Sequence, residues 1–379
     1  MLKQAKKSFL ILLLILSLAL IFNLCISCVS AAPGDVIYVN CSSGNDLWDG
    51  LSSTWNGTSG PKLTIKNASG AVNSGGTVNI ADGNYKGINN TKIIINKNMV
   101  LNGQSQTGTV INGTDSSWIF MVQKGAVVTI SNLTITNGYI FDGPGVICNE
   151  GYLTLNHCNF LKNSQQGSVE ICVGPIYNKG TLTVTNSNFM DNYACNSGGG
   201  VICNAGTLTV TGSNFTNNSG YGCGGAILNW DTLTVTVSNF NGNQAYGAGG
   251  AIFNAGNLTV TGSSFTNNYA CGYGAGPIVK IAGGAIFNEY GSNYILNSCQ
   301  FAGNIPQDIY NGTKPFDDYY GGYGEGDSGY GESGNSFNDP VTTVKAASKT
   351  MPLQKTGMPL AGFVSAVLMV LSGMVLKRR

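Results

Sequence analysis

Between Gly143 and Asn304 one short phrase recurs six times, and its spacing excludes most folds before any other feature is weighed. Six Ile-x-Asn triplets begin at Ile147, Ile176, Ile202, Ile227, Ile252 and Ile286, and six Phe-x-x-Asn words answer them from Phe160, Phe189, Phe215, Phe240, Phe265 and Phe301. The step from the triplet Asn to the following Phe is 11 residues in five copies and 13 in the last, whereas the return from Phe to the next Ile takes 16, 13, 12, 12 and 21. One arm of each repeat is held to length and the other is free. A repeat of about 25 residues in a chain of 379 reads as a solenoid, in which each unit buries its apolar face only against its neighbours.

Within the fixed arm, Leu208-Thr209-Val210-Thr211 and its counterparts alternate apolar and polar residues, so Leu208 and Val210 share one face and the threonines the other. Ala226-Ile227-Leu228-Asn229 supplies a second short strand, and the segment ending at Phe240 a third. Three strands and three bends per repeat predict an all-β parallel β-helix, each strand pairing with its equivalent one coil on. A slip of one residue turns Leu208 and Val210 outward, which explains the fixed length of this arm. The recurring Asn residues, Asn149 to Asn288 and Asn163 to Asn304, are expected to form amide ladders or turns. The Gly pairs before Ile are expected to adopt turn conformations that a Cβ obstructs. Upstream, Val36–Asn40 predicts a first strand and Pro61–Val72 a short amphipathic helix that covers the open end. Short β-branched runs from Gly75 to Ile135 predict irregular coils, for about nine coils in all.

Gly-Gly-Ala-Ile stands intact from Gly224, Gly249 and Gly283, and Phe-x-x-Asn in every repeat. These words resemble the repeats of the polymorphic outer membrane protein family of chlamydiae. The wider text, from about Tyr38 to Asn304, resembles adhesin-like right-handed β-helix proteins on the surface of methanogenic archaea. The resemblance implies a right-handed, pectate-lyase-like solenoid displayed outside a cell. The chain departs from the chlamydial pattern after Asn304, where no room remains for a membrane barrel.

The ends predict how such a solenoid is displayed. Lys3, Lys6 and Lys7 precede an apolar run from Phe9 to Phe22, and Ser30-Ala31-Ala32 follows, the layout of a signal peptide over residues 1–32. An uncleaved membrane anchor is the alternative there. Residues 33–74 are assigned to the N-terminal strand and helical cap, and 75–313 to the β-helix. Residues 314–357 read as an acidic, Gly- and Tyr-rich linker, in which Pro352–Gly357 looks like a sorting motif with a displaced Pro. Residues 358–379 read as a transmembrane anchor, because Met358–Leu376 is uncharged and Lys377-Arg378-Arg379 follows. The expected localisation is the cell surface, anchored in the plasma membrane with the β-helix outside. Ten Asn-x-Ser/Thr sequons at Asn40, Asn56, Asn67, Asn89, Asn112, Asn132, Asn214, Asn217, Asn257 and Asn311 are candidate glycan sites on such a protein. Cleavage near Ala32 leaves nine cysteines, an odd number without a Cys-x-x-Cys pair. No closed disulfide set and no metal site is implied, and most of these cysteines are expected to be buried small hydrophobes.

Charged residues make up 10% of the chain, the net charge is +1, and the arginines are Arg378 and Arg379 alone. A nucleic-acid partner and Arg-based phosphate clamping on the body are thereby excluded, and no cofactor is expected. Among the acids, Glu150 and Glu289 share a register but stand about 24 Å apart across five coils, beyond the roughly 5–9.5 Å of a glycosidase pair. Asp142 and Glu170, in the return arms of adjacent coils, are the better catalytic pair. His157, the only histidine, reads as an outer or corner residue without a partner. Counting six back from each Ile gives Phe141, Glu170, Asn196, Tyr221, Tyr246 and Lys280, while Tyr193 and Tyr269 directly follow a ladder Asn. Phe141, Tyr193, Tyr221, Tyr246 and Tyr269 are the candidate platforms for sugar rings or a protein partner. Packing of these rings over the Gly-rich turns is the alternative. The expected function is adhesin-like display of a glycan- or protein-binding face. A glycosylated envelope stalk and a polysaccharide lyase or hydrolase are the alternatives. The enzyme reading predicts release of reducing or unsaturated ends from acidic polysaccharides, abolished by Asp142→Asn or Glu170→Gln. Release that survives both substitutions excludes the pair.

Overall fold

A computed structural model describes residues 34–313 other than 142, 144, 167–173, 195–198 and 272–282. The assignments of signal peptide, linker and transmembrane anchor lie outside the described residues, as do Asp142, Glu170, Asn196 and Lys280. Among the described residues no helix is long and apolar enough to cross a membrane.

Three long parallel sheets wind into a β-helix. A ten-stranded threonine sheet runs from Val36–Val39 to Asn293–Asn297, a nine-stranded phenylalanine sheet from Gly83–Lys86 to Gln300–Ala302, and a nine-stranded isoleucine sheet from Ile93–Ile95 to Ile309–Asn311. Leu182, Leu208, Leu233 and Leu258 stand in one register column, and Val184, Val210, Val235 and Val260 in another. All eight side chains are buried in the core, with the threonines between them on the outer face. The expected count of nine coils becomes about eight full turns, since the threonine sheet holds nine strands from Thr77–Ile80 to Asn293–Asn297 and one turn separates each from the next. The longer arm of the last repeat keeps its register: its extra residues fall in a turn closed by Ser292 N–H donating to the Glu289 carbonyl at 3.0 Å. Asn293 then pairs with Asn257.

The inner columns show why the words are fixed. Phe160, Phe189, Phe215, Phe240, Phe265 and Phe301 stack with centroids 4.6–5.1 Å apart and planes within 11°. Burial of each ring from Phe160 to Phe265 contributes on the order of 1.5–3 kcal/mol, while Phe301 at the end of the stack is only partly buried. Both expected amide ladders form. Asn149, Asn178, Asn204, Asn229, Asn254 and Asn288 each donate Nδ2–H to the Oδ1 of the next coil's Asn at 2.7–3.2 Å, ending on Asn311. The Asn163 to Asn304 ladder does the same at 2.9–3.0 Å. An outer ladder joins Asn159, Asn188, Asn214 and Asn239, and it donates in the opposite direction along the axis. The first glycine of each Gly-Gly-Ala-Ile word has φ of +72°, +68° or +55°, and a Cβ there meets the carbonyl oxygen of Ile227, Ile252 or Ile286 at 2.2–2.3 Å.

Two features depart from the three-strand scheme. A fourth, six-stranded sheet of two or three residues per coil runs from Tyr139–Phe141 to Tyr269–Ala270. Its buried column is Gln165, Ala194, Gly220, Ala245 and Ala270, so the return arm is free only beyond these residues. From Ile147–Asn149 to Ile286–Asn288 the isoleucine sheet is also buried on both faces. Its middle residues Cys148, Tyr177, Cys203, Leu228, Phe253 and Phe287 form a second core with Cys223 and Ala248 of the return arms, which fold over this sheet. Cys203 is disulfide-bonded, an exception to the expectation that most of the cysteines are buried small hydrophobes. At the N-terminal end the helix Ile65–Ala71 buries Ile65 and Ala68 against the first coils, the expected cap.

Asn218 accepts from both Asn192 nitrogens and donates to Asn243 Oδ1 and the Phe189 carbonyl. Asn218→Ala strands these buried groups and is expected to cost roughly 3 kcal/mol, whereas Asn239→Ala on the exposed outer ladder costs under about 1 kcal/mol. Thermal melts of the two variants check the contrast.

Candidate functional site

The short fourth sheet sets the candidate binding residues in columns. Tyr139 pairs with Ser164, Ser164 with Tyr193, Tyr193 with Ser219, Ser219 with Gln244 and Gln244 with Tyr269. Phe141 pairs with Gln166 two positions on, and the same ladder carries Tyr221, Tyr246 and Cys271, whose amides bond to Ala194, Gly220 and Ala245 carbonyls. This corrects the count of six back from Ile, which put Glu170 and Lys280 beside the tyrosines. The register runs forward from Phe-x-x-Asn, and the length variation lies after the short strand.

Phe141 is 62% exposed, Tyr221 46%, Tyr246 47% and Tyr269 41%, while Tyr193 is half-buried. Tyr221 and Tyr246 stack at 5.1 Å and 26°. Their facing surfaces therefore cover each other, and the pair offers ring edges, hydroxyls and its outermost faces, which suits hydrogen bonding more than a run of open platforms. A hydrogen bond with the Cys271 thiol raises the pKa of the Tyr269 hydroxyl. The remaining candidates disperse. His157 is exposed with φ +51°, and its Nδ1 lies 2.9 Å from Asn156 Oδ1, which corrects the expectation of no partner.

The sequons divide by what their amides do. Asn67, Asn132, Asn214 and Asn311 commit Nδ2–H to Thr64, Asn102, Asn188 and Tyr294. Asn40, Asn56 and Asn112 accept turn hydrogen bonds through Oδ1 only, and Asn89, Asn217 and Asn257 are exposed. Two surface features escape the repeat pattern. Trp48 and Trp55 stack at 4.6 Å in the cap, beside an exposed Leu47 and Leu51. A groove lined by Lys66, Lys92 and Lys97 flanks the cap helix. Neither carries a periodic signal, because the cap is not repeated.

No family model matches this sequence, and no curated protein matches it. Among solved structures it is similar to ORF18 of Geobacillus virus E2, at 17% identity and a TM-score of 0.38, over 66% of this chain and 56% of that one. The chain thus spans little more than half the length of that protein. Pectate lyase Pel9A is similar at 16% identity and a TM-score of 0.33, over 70% of this chain and 78% of that one. The alginate lyase from Paenibacillus sp. str. FPU-7 is similar at 11% and 0.31, over 66% and 96%. The parallel β-solenoid stands on this chain's own sheet pairing. The chlamydial and archaeal resemblances rest on the repeat words themselves.

Burial pushes the Cys148 thiol up to about 11 and the Cys158 thiol to about 12, from an ordinary value of 9.0. Folding keeps both neutral, so their contribution to stability is whole below pH 9 and is lost as pH rises through 11 and 12. Native Cys158 is expected to resist alkylation below pH 9 and to react once unfolded, with a Tm that falls only above pH 9. Mass spectrometry of alkylated peptides and melts across that range check both.

Proposed function

We propose that this protein is an adhesin-like, surface-displayed β-helix whose short-sheet edge, bearing Phe141, Tyr221, Tyr246 and Tyr269, engages a cell-surface glycan or protein. The observation that carries the reading is the exposure of these aromatic residues along one edge of a scaffold locked by buried ladders. Rigid placement spares a binding face the entropy of ordering side chains on contact. Secretion by residues 1–32, a single membrane span in 358–379 and glycans on sequons such as Asn257 belong to the same proposal. They set the solenoid outside the plasma membrane on its linker, and the repeat words of the chlamydial and archaeal surface proteins agree with that placement.

A second reading, a glycosylated structural stalk, is favoured by the mutual stacking of Tyr221 and Tyr246. Binding of the detergent-solubilised full chain to a glycan array and to whole-cell surface proteins separates the two. The adhesin reading expects a ligand whose affinity falls about tenfold, or 1.4 kcal/mol, in Tyr221→Ala/Tyr246→Ala. Absence of any ligand, or equal binding by the variant, supports the stalk.

A further inference from the structure

The cap helix and the first strand of the isoleucine sheet enclose a groove of about 350 Å³, walled by Lys66, Ser69 and Gly70 on one side and by residues 92–97 on the other. Three lysines line it and no Asp or Glu does. Lys97 is fixed there, because its Nζ donates to the Gly70 and Val72 carbonyls at the end of the helix. Lys66 and Lys92 are exposed, and among the described residues neither ammonium has a partner. The surrounding wall supplies uncharged donors. Ser69 is only 6% exposed, yet among the described residues its hydroxyl has no hydrogen-bond partner. Strand Ile93–Ile95 is the free edge of its sheet. Ile93 N–H and the Ile95 carbonyl bond toward the following coil, so the intervening Ile94 amide points to the open edge. A Cβ on Gly70 meets nothing within 4 Å, so the groove is open beside the helix.

We propose that this groove is an oxyanion-binding site, separate from the aromatic edge, taking a carboxylate or phosphate group of its ligand. Lys66 and Lys92 close on the charge from opposite walls, Lys97 holds a third positive charge in place, and the buried Ser69 hydroxyl donates to an anion oxygen. A buried hydroxyl donor inside a cleft of positive charge makes an anion contact stronger than lysines alone on an open surface. The cluster is invisible in the near-neutral net charge of the chain, because lysines distant in sequence converge only where the helix caps the first coil.

Isothermal titration of the full-length chain, with inorganic phosphate and with trigalacturonate as separate probes, tests the site. At least one probe is expected to bind, with affinity that weakens as salt is raised. Lys66→Ala/Lys92→Ala is expected to lose about tenfold or more in affinity, and Lys66→Arg/Lys92→Arg to retain it within about threefold. Ser69→Ala is expected to weaken binding without lowering Tm, which separates a ligand contact from a packing role. Tighter binding of trigalacturonate identifies the carboxylates of an acidic saccharide as the source of the anion, and tighter phosphate binding a phosphorylated ligand. Binding of neither probe, or wild-type affinity in the double alanine variant, overturns the proposal.

Discussion

Each buried ladder Asn ties a coil to the coils on either side, and the rest of the solenoid depends on that bond pattern. The Asn243 amide illustrates it: Nδ2–H donates forward to Asn268 Oδ1 and back to the Phe215 carbonyl, while Oδ1 accepts from the Asn218 backbone and side chain. A buried carboxamide without these partners is costly, so each coil is held at hydrogen-bonding distance from the next. The Phe stack beneath and the Leu and Val columns opposite can interdigitate only at the same coil spacing. Backbone pairing sets a similar distance, about 4.8 Å between strands, and the side-chain ladders convert it into a demand for one residue type at one place in every turn.

That demand explains which parts of the fold were legible in the sequence. The 11-residue arm was readable because a slip exposes Leu208 and Val210 and breaks two ladders together. The short fourth sheet was not, since strands such as Tyr193–Ala194 and Gln244–Ala245 are too brief to show alternation. Its only signal is the small residue two places after the ladder Asn, as at Ala194, Gly220, Ala245 and Ala270. The second core was hidden for another reason: Cys203, Leu228 and Phe253 face outward from their own strand and are buried only because the return arms fold over them. A rule for one strand carries no information about what a later loop covers.

The candidate site shows the same division. Identities were legible at Phe141, Tyr193, Tyr221, Tyr246 and Tyr269, and the count from Ile already set Phe141, Tyr221 and Tyr246 at one position, but it missed Gln166 and Cys271 because it crosses the variable stretch. Counting forward from Phe, or from Ile135 in the coil of Phe141, crosses only fixed residues and adds Gln166 and Cys271 to the column of Phe141, Tyr221 and Tyr246. The stacking of Tyr221 on Tyr246 follows from that column and alters the chemistry on offer, from open ring faces to edges and hydroxyls. The groove at the cap lies outside the repeat, so periodicity gave it no voice. Fixed words thus build the rod, while the arms and the cap diversify it.

Deletion of one whole repeat addresses this constraint most directly. Removing residues 227–251 joins Ala226 to Ile252 and takes out the 25-residue step that separates Asn229 from Asn254. Asn204 then faces Asn254, Phe215 faces Phe265, and every column closes. Far-UV circular dichroism and thermal melting of this variant are expected to retain a cooperative parallel β-helix, whereas removal of residues 209–232, which leaves Leu233 as one extra residue beside Leu208 within the fixed arm, is expected to lose it. Equal stability of the two deletions contradicts the account, because it means that the ladders and inner columns do not set the length of the fixed arm.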